Sequence, residues 1–272
     1  MMKTYNNKTL TNQEKYVKEH KKHHHQVAFY RILIFVVFLS FWEISSALKW
    51  IDPFFFSSPS RIVQCTVELI LEKNLLTHLG ITLLETTFSF LLVCFFSLIL
   101  ATALWYSVKL SEVLEPYLVV LNSLPKSALA PLFIVWLGTG MSTIIVAGIS
   151  VALFGSIISF FTGFKQTSKE KITLIYTLGG TKHQAFSKVV LPGSLPILIS
   201  TAKVNIGLSL VDVIIGEFLA ARRGLGYLII YGSQVFQLDM VITSIIILCI
   251  FAMLFYKGIQ YLEHQIKKKI GG

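Results

Sequence analysis

The chain has 272 residues, 54% of them hydrophobic and 14% charged, with a mean hydropathy of +0.70; a water-soluble domain of this size cannot hide so much apolar surface, so its solvent is a bilayer. The formal net charge of +10 does not point to nucleic acid, because the basic residues sit at segment ends and tails rather than on one aromatic-interleaved face. Cys65, Cys94 and Cys249 are widely separated with no CxxC spacing and read as reduced packing residues, which argues against a disulfide scaffold or a metal centre.

A hydrocarbon core of about 30 Å needs about 20 apolar residues per crossing helix. The pattern gives six such runs, hence an all-α integral membrane protein with six transmembrane helices. Residues 1–26 are polar and rich in Lys and His, and read as a disordered cytosolic tail. His20, His23, His24 and His25 belong to that solvated tail, with metal chelation the alternative. Val27 to Leu48 is the first crossing, too long for a signal peptide, with Glu43 expected at the interface beside Lys49 or Trp50. Asp52, Pro53 and the cluster Ser57, Ser58, Pro59, Ser60 break the chain, and Arg61 to Leu71 predicts an amphipathic helix lying in the interface.

Leu79 to Tyr106 is the second crossing, with Glu85 expected at headgroup level, followed by a short loop holding Lys109, Glu112 and Glu115. Leu118 to Leu137 is the third run. Pro125 and Pro131 interrupt it, so it is expected to kink or break, and backbone freed at membrane depth must face protein or a wet cavity. Lys126, between the prolines, either points at a translocation pathway or pairs with Glu217 or Asp212. Ile144 to Phe164 is the fourth crossing, where Gly148, Ala152 and Ser156 recur at four-residue spacing, a pattern that lets helix backbones approach closely in lipid.

Ile197 to Leu219 is the fifth crossing and carries Lys203, Asn205, Asp212 and Glu217. Polar groups are expensive in lipid, so this helix should face protein or water. Lys126, Lys203, Asp212 and Glu217 are the candidate pathway residues. Arg222 to Gly226 form a turn, and Met240 to Tyr261 is the sixth crossing. The membrane domain spans 27–264, and residues 265–272 form a basic cytosolic tail. With both termini cytosolic, most Lys and Arg fall on the inner side, as the positive-inside rule requires. That places the polar stretch 165–192 in the cytosol.

Within that stretch, Thr167 or Ser168 can cap a short helix. Gly179 and Gly180 supply the left-handed backbone that ends it. A second helix is expected from Thr181 past Phe186 to Val190, stopped by Pro192. Two short helices around a glycine turn make a rigid knob suited to a partner's cleft; an ordinary returning loop is the alternative.

Thr177, Leu178, Gly179, Gly180 and Thr181, followed by Phe186, Val189, Val190, Leu191, Pro192, Leu195 and Pro196, resemble the "EAA" signature of membrane subunits in binding-protein-dependent ABC importers. Three further stretches are similar to the nitrate/sulfonate/taurine branch: Pro59 and Ser60, the run from Leu124 to Gly140, and Gly216, Glu217, Phe218 before Gly224, Leu225, Gly226. Together they cover about Ser57 to Glu263. Thr173, Leu174 and Ile175 stand where the signature has Glu, Ala, Ala.

The resemblance implies a type I importer fold whose cytosolic coupling helix is gripped by an ABC ATPase. The coupling residues would then be Thr173, Leu174, Leu178, Gly179, Gly180, Phe186, Leu191 and Pro192. It further implies a homodimer in a bacterial plasma (inner) membrane, an ATPase subunit dimer, and an external solute-binding protein delivering a small anionic solute such as nitrate, a sulfonate or taurine. A thiamine-precursor pyrimidine is the alternative cargo, and an ion-coupled carrier the rival mechanism. The chain contains no G-x-x-x-x-G-K-[ST] phosphate loop. It is therefore expected to be a transport subunit rather than an enzyme, binding no cofactor itself, with ATP consumed by its partner.

Overall fold

The computed structural model describes the backbone of residues 12–270. All the regular elements among the described residues are helices. The chain divides into two compact units, residues 1–64 and 65–272.

In the first unit, α1 (Asn12–Ala47) is followed by α2 (Pro53–Phe56) and the start of α3 (Pro59–Leu71). Helix α1 begins fifteen residues before the expected crossing, so residues 12–26 are not a disordered tail; residues 1–11 lie outside the described residues. Residues 12–26 contain neither Gly nor Pro and are rich in Gln, Glu and Lys, good helix formers, and extending a nucleated helix costs little. Glu43 accepts from the Ser60 amide at 3.0 Å and its hydroxyl at 2.7 Å. Helix α3 starts at Pro59, as the sequence predicts, with Arg61 donating to the Pro53 carbonyl at 2.9 Å.

The second unit contains α4 (Leu75–Tyr106), α5 (Val108–Ser123), α6 (Ala130–Leu137), α7 (Met141–Lys165), α8 (Lys169–Thr177), α9 (Lys182–Ala185), α10 (Leu191–Ala220), α11 (Leu225–Gln234) and α12 (Leu238–Ile270). Among the described residues, five helical stretches are long and apolar enough to cross a membrane: Gln26–Ala47, Leu75–Tyr106, Met141–Lys165, Lys182–Ala220 and Leu238–Tyr261. The expected third crossing is broken, as its two prolines predict, rather than one continuous helix. Helix α5 stops at Ser123, Leu124 is extended (φ −65°, ψ 141°) because Pro125 disfavours helical backbone before it, and a 3-10 turn, Lys126–Leu129, leads into α6. The loop expected at Lys109, Glu112 and Glu115 is instead the first half of α5. Ser107 caps it, its hydroxyl accepting from Leu110 N at 3.2 Å.

Helix α7 is the centre of this unit and packs on α4 and α10. Lipid supplies no hydrophobic drive between helices, so close approach of small residues does the work. A Cβ at Gly148 would come within 2.9 Å of Ser89 Oγ, and one at Gly163 within 3.1 Å of Ile197. Ala152 and Ser156, on the predicted stripe, are each 1% exposed. The matching stripe on α4, Ser89, Val93, Ser97 and Ala101, is fully enclosed. Helix α12 runs through Ile270, so the basic tail is helical up to that residue.

Candidate coupling site and buried polar residues

The stretch 165–192 folds as a capped foot. Ser168 caps α8, its hydroxyl accepting from Lys171 N while donating to Glu170; that donation holds the exposed Glu170 carboxyl below its usual range. At the other end Leu178 is the C-cap and Gly179 takes φ +78°. The Gly179 amide donates to Tyr176 O at 3.0 Å and the Gly180 amide to Ile175 O at 2.8 Å, the paired bonds of a Schellman motif. Thr181 and Gln184 then form a capping box, the Thr181 amide donating to Gln184 Oε1 at 2.8 Å and Gln184 N to Thr181 Oγ1 at 3.3 Å. Two successive caps leave the Gly179–Gly180 turn little freedom.

The foot is tied to the ends of α4 and α7. The Phe186 ring sits 5.1 Å from Trp105, 5.5 Å from Tyr106 and 5.3 Å from Phe164. Lys182 donates to Tyr106 O at 2.8 Å, with its ammonium over the Trp105 ring at 5.6 Å. Lys165 pairs with Glu115 at 3.2 Å. The predicted stop at Pro192 does not occur. Phe186–Val190 forms a π turn in which Leu191 N donates to Phe186 O, and the helix continues through Pro192 to Ala220. The wider turn already displaces the i→i−4 ladder where proline has no donor to give.

Of the predicted coupling residues, Thr173, Leu174, Leu178, Gly179 and Pro192 are exposed, Gly180 and Leu191 half-buried, and Phe186 buried beneath the foot. Leu174 and Leu178, four residues apart, form an exposed apolar edge, and Tyr176 is exposed on another side of α8. Beside it a cleft of about 430 Å³ is lined by Thr167, Ser168, Lys171, Lys188, Pro192 and neighbours.

At the opposite end of α10 lies a second cluster. Glu217 is fully enclosed: Thr82 Oγ1 donates to its Oε1 at 2.6 Å and Gly226 N to its Oε2 at 2.5 Å, while Leu225 N donates to Thr82 Oγ1 at 2.8 Å. Gly224 N donates to His78 Nδ1 at 3.0 Å. Any Cβ at Gly224 or Gly226 would overlap the Glu217 side chain, so both glycines are there to let backbone close over a carboxyl. Glu85, 2% exposed, is enclosed beside Glu217.

Three of the four candidate pathway residues lie on one helix, α10. Glu217 sits in this cluster, Asp212 is buried and Lys203 half-buried on α10, and Lys126 lies in the 3-10 turn with its side chain outside the described residues. Sequence reasoning missed His78 and Thr82 as partners of the Gly224–Gly226 turn; the signal was their four-residue spacing, which puts both on one face of α4.

Membrane-length helices with one doubly capped polar foot and no nucleotide-binding loop define the membrane subunit of a transporter powered by another chain. The chain belongs to the binding-protein-dependent transport system inner membrane components, whose family model matches residues 93–268. It is 28% identical to the formylaminopyrimidine transport permease protein ThiX of Halalkalibacterium halodurans, over 85% of this chain and 92% of that one. It is 24% identical to the taurine transport system permease protein TauC of Escherichia coli, over 85% and 86%. The methionine ABC transporter MetNI, solved in inward-facing conformations, shares the fold, with a TM-score of 0.63 at 21% identity over 74% of this chain and 97% of that one. The protein is thus a binding-protein-dependent ABC importer permease, a multi-pass membrane subunit and not an enzyme, with the ATPase on a separate subunit.

Proposed function

We propose that two copies of this chain form the translocation pathway of an importer, that the α8–α9 foot faces the cytosol and docks in a cleft of each ATPase, and that ATP-driven closure of the ATPases rocks the helices between inward and outward access. ATP is bound and consumed by the partner. The observation that carries this reading is the foot itself. Leu174 and Leu178, four residues apart, present an apolar edge to solvent on an element pinned by two caps and an aromatic cluster, and an exposed apolar edge of this kind marks a partner surface. Thr173 stands where the signature carries a carboxylate, and Lys171 and Lys188 line the adjoining cleft, so the docking surface on the ATPase is expected to be acidic there.

An external binding protein delivers a small polar solute, the property common to taurine and formylaminopyrimidine, which name the substrates of two relatives. The test is co-purification from detergent-solubilised membranes. The wild-type chain should retain its ATPase and Leu178→Asp should lose it; equal retention by both would remove the foot from the contact.

A further inference from the structure

A cleft of about 320 Å³ opens between α5, α7 and α10, walled by Asn122, Ser156, Ser159, Ser200, Thr201 and Asn205 among others. Its volume is that of roughly ten waters at about 30 Å³ each, within the range of small-ligand sites. Each described residue lining it is uncharged. Gly155 keeps the cleft's shape: a Cβ there would lie 3.1 Å from Asn122 Oδ1, so the α5 carboxamide rests against α7 only because that position is bare.

Asn205 is the telling residue. It is 3% exposed, lines the cleft, and its Nδ2 has no hydrogen-bond partner. Cys94 on α4, whose thiol is a weak acceptor, lies alongside, but no acceptor meets Nδ2 in hydrogen-bonding geometry. A buried amide donor left unmatched is costly, and a ligand acceptor would relieve it. One turn further along α10, Ser209 Oγ is likewise enclosed and unpartnered, so the polar face continues beyond the cleft.

We infer that this cleft is a solute station within the membrane and that it takes an uncharged heterocycle or amide presenting hydrogen-bond acceptors. Hydroxyls and carboxamides both donate and accept, which suits a solute with mixed polar edges. A sulfonate held there would have no lining cation to offset its desolvation. This inference rests on the importer reading and narrows its cargo from small polar solutes to neutral ones.

The test is equilibrium binding of labelled formylaminopyrimidine to the purified permease–ATPase complex without binding protein, with taurine as competitor. Saturable binding is expected, weakened at least tenfold in both Asn205→Leu and Thr201→Val, with taurine failing to displace it. Thr201→Val changes one hydroxyl at a half-buried site and guards against misfolding of the other variant; retained ATPase reports that each variant is assembled. Absence of saturable binding, displacement by taurine, or binding unchanged in both variants would overturn the inference. Failure of the wild-type chain to hold any ATPase would instead defeat the importer reading.

Discussion

Thr82 donates its hydroxyl to the Glu217 carboxyl across 2.6 Å while accepting the Leu225 amide at 2.8 Å. One hydroxyl on α4 thus joins the end of α10 to the start of α11, 135 and 143 residues further along the chain. Glu217→Ala leaves the Gly226 amide without its acceptor in an enclosed site, at about 1–3 kcal/mol for the orphaned group, and leaves the Thr82 hydroxyl only the His78 carbonyl at 3.3 Å. A fall in the unfolding temperature of the detergent-purified protein is expected. Glu217→Gln keeps one carbonyl oxygen and should lose less.

Gly224→Ala tests the same cluster from the backbone side. Its methyl would overlap the Glu217 carboxyl, the group that Glu217→Ala removes, so beyond the strain of alanine at φ +118° the substitution should destabilise the wild-type chain and be better tolerated beside Glu217→Ala. Unfolding of the four-member cycle should show a coupling of about 0.5–3 kcal/mol. Additive effects would mean that the two residues do not share this site.

Gly179 holds φ +78° with open space around its Cα, so only its backbone conformation restricts substitution. Asn, which visits the left-handed region readily, should preserve uptake in reconstituted vesicles, whereas the β-branched Gly179→Val should abolish it while the protein still inserts. Equal uptake by both variants would show that the turn geometry does not matter for coupling.

Phe186 is buried among Trp105, Tyr106 and Phe164. Phe186→Ala should cost about 3–5 kcal/mol locally and loosen the foot. Hydrogen exchange of the α8 and α9 amides is expected to accelerate, with α7 amides far from the foot unchanged.

Much of this architecture was legible because its signals are local. Ser168, Gly179 and Thr181 announce their caps by residue type, and the foot formed where they placed it. The small-residue stripe at Gly148, Ala152 and Ser156 likewise predicted its own burial. What the sequence concealed depends on distant partners. Glu85 looks like an interfacial carboxylate until α10 brings Glu217 beside it. Pro192 looks like a stop until a π turn upstream absorbs the missing donor.

Side-directed labelling at the foot tests the central claim most directly. With Cys65, Cys94 and Cys249 replaced by Ser, Leu178→Cys would place one exposed thiol on the apolar edge. A membrane-impermeant maleimide should modify it in inside-out vesicles stripped of ATPase, fail to modify it in right-side-out vesicles, and be blocked when the ATPase is added back. Modification from the outer face, or labelling that the ATPase leaves unchanged, would contradict the account.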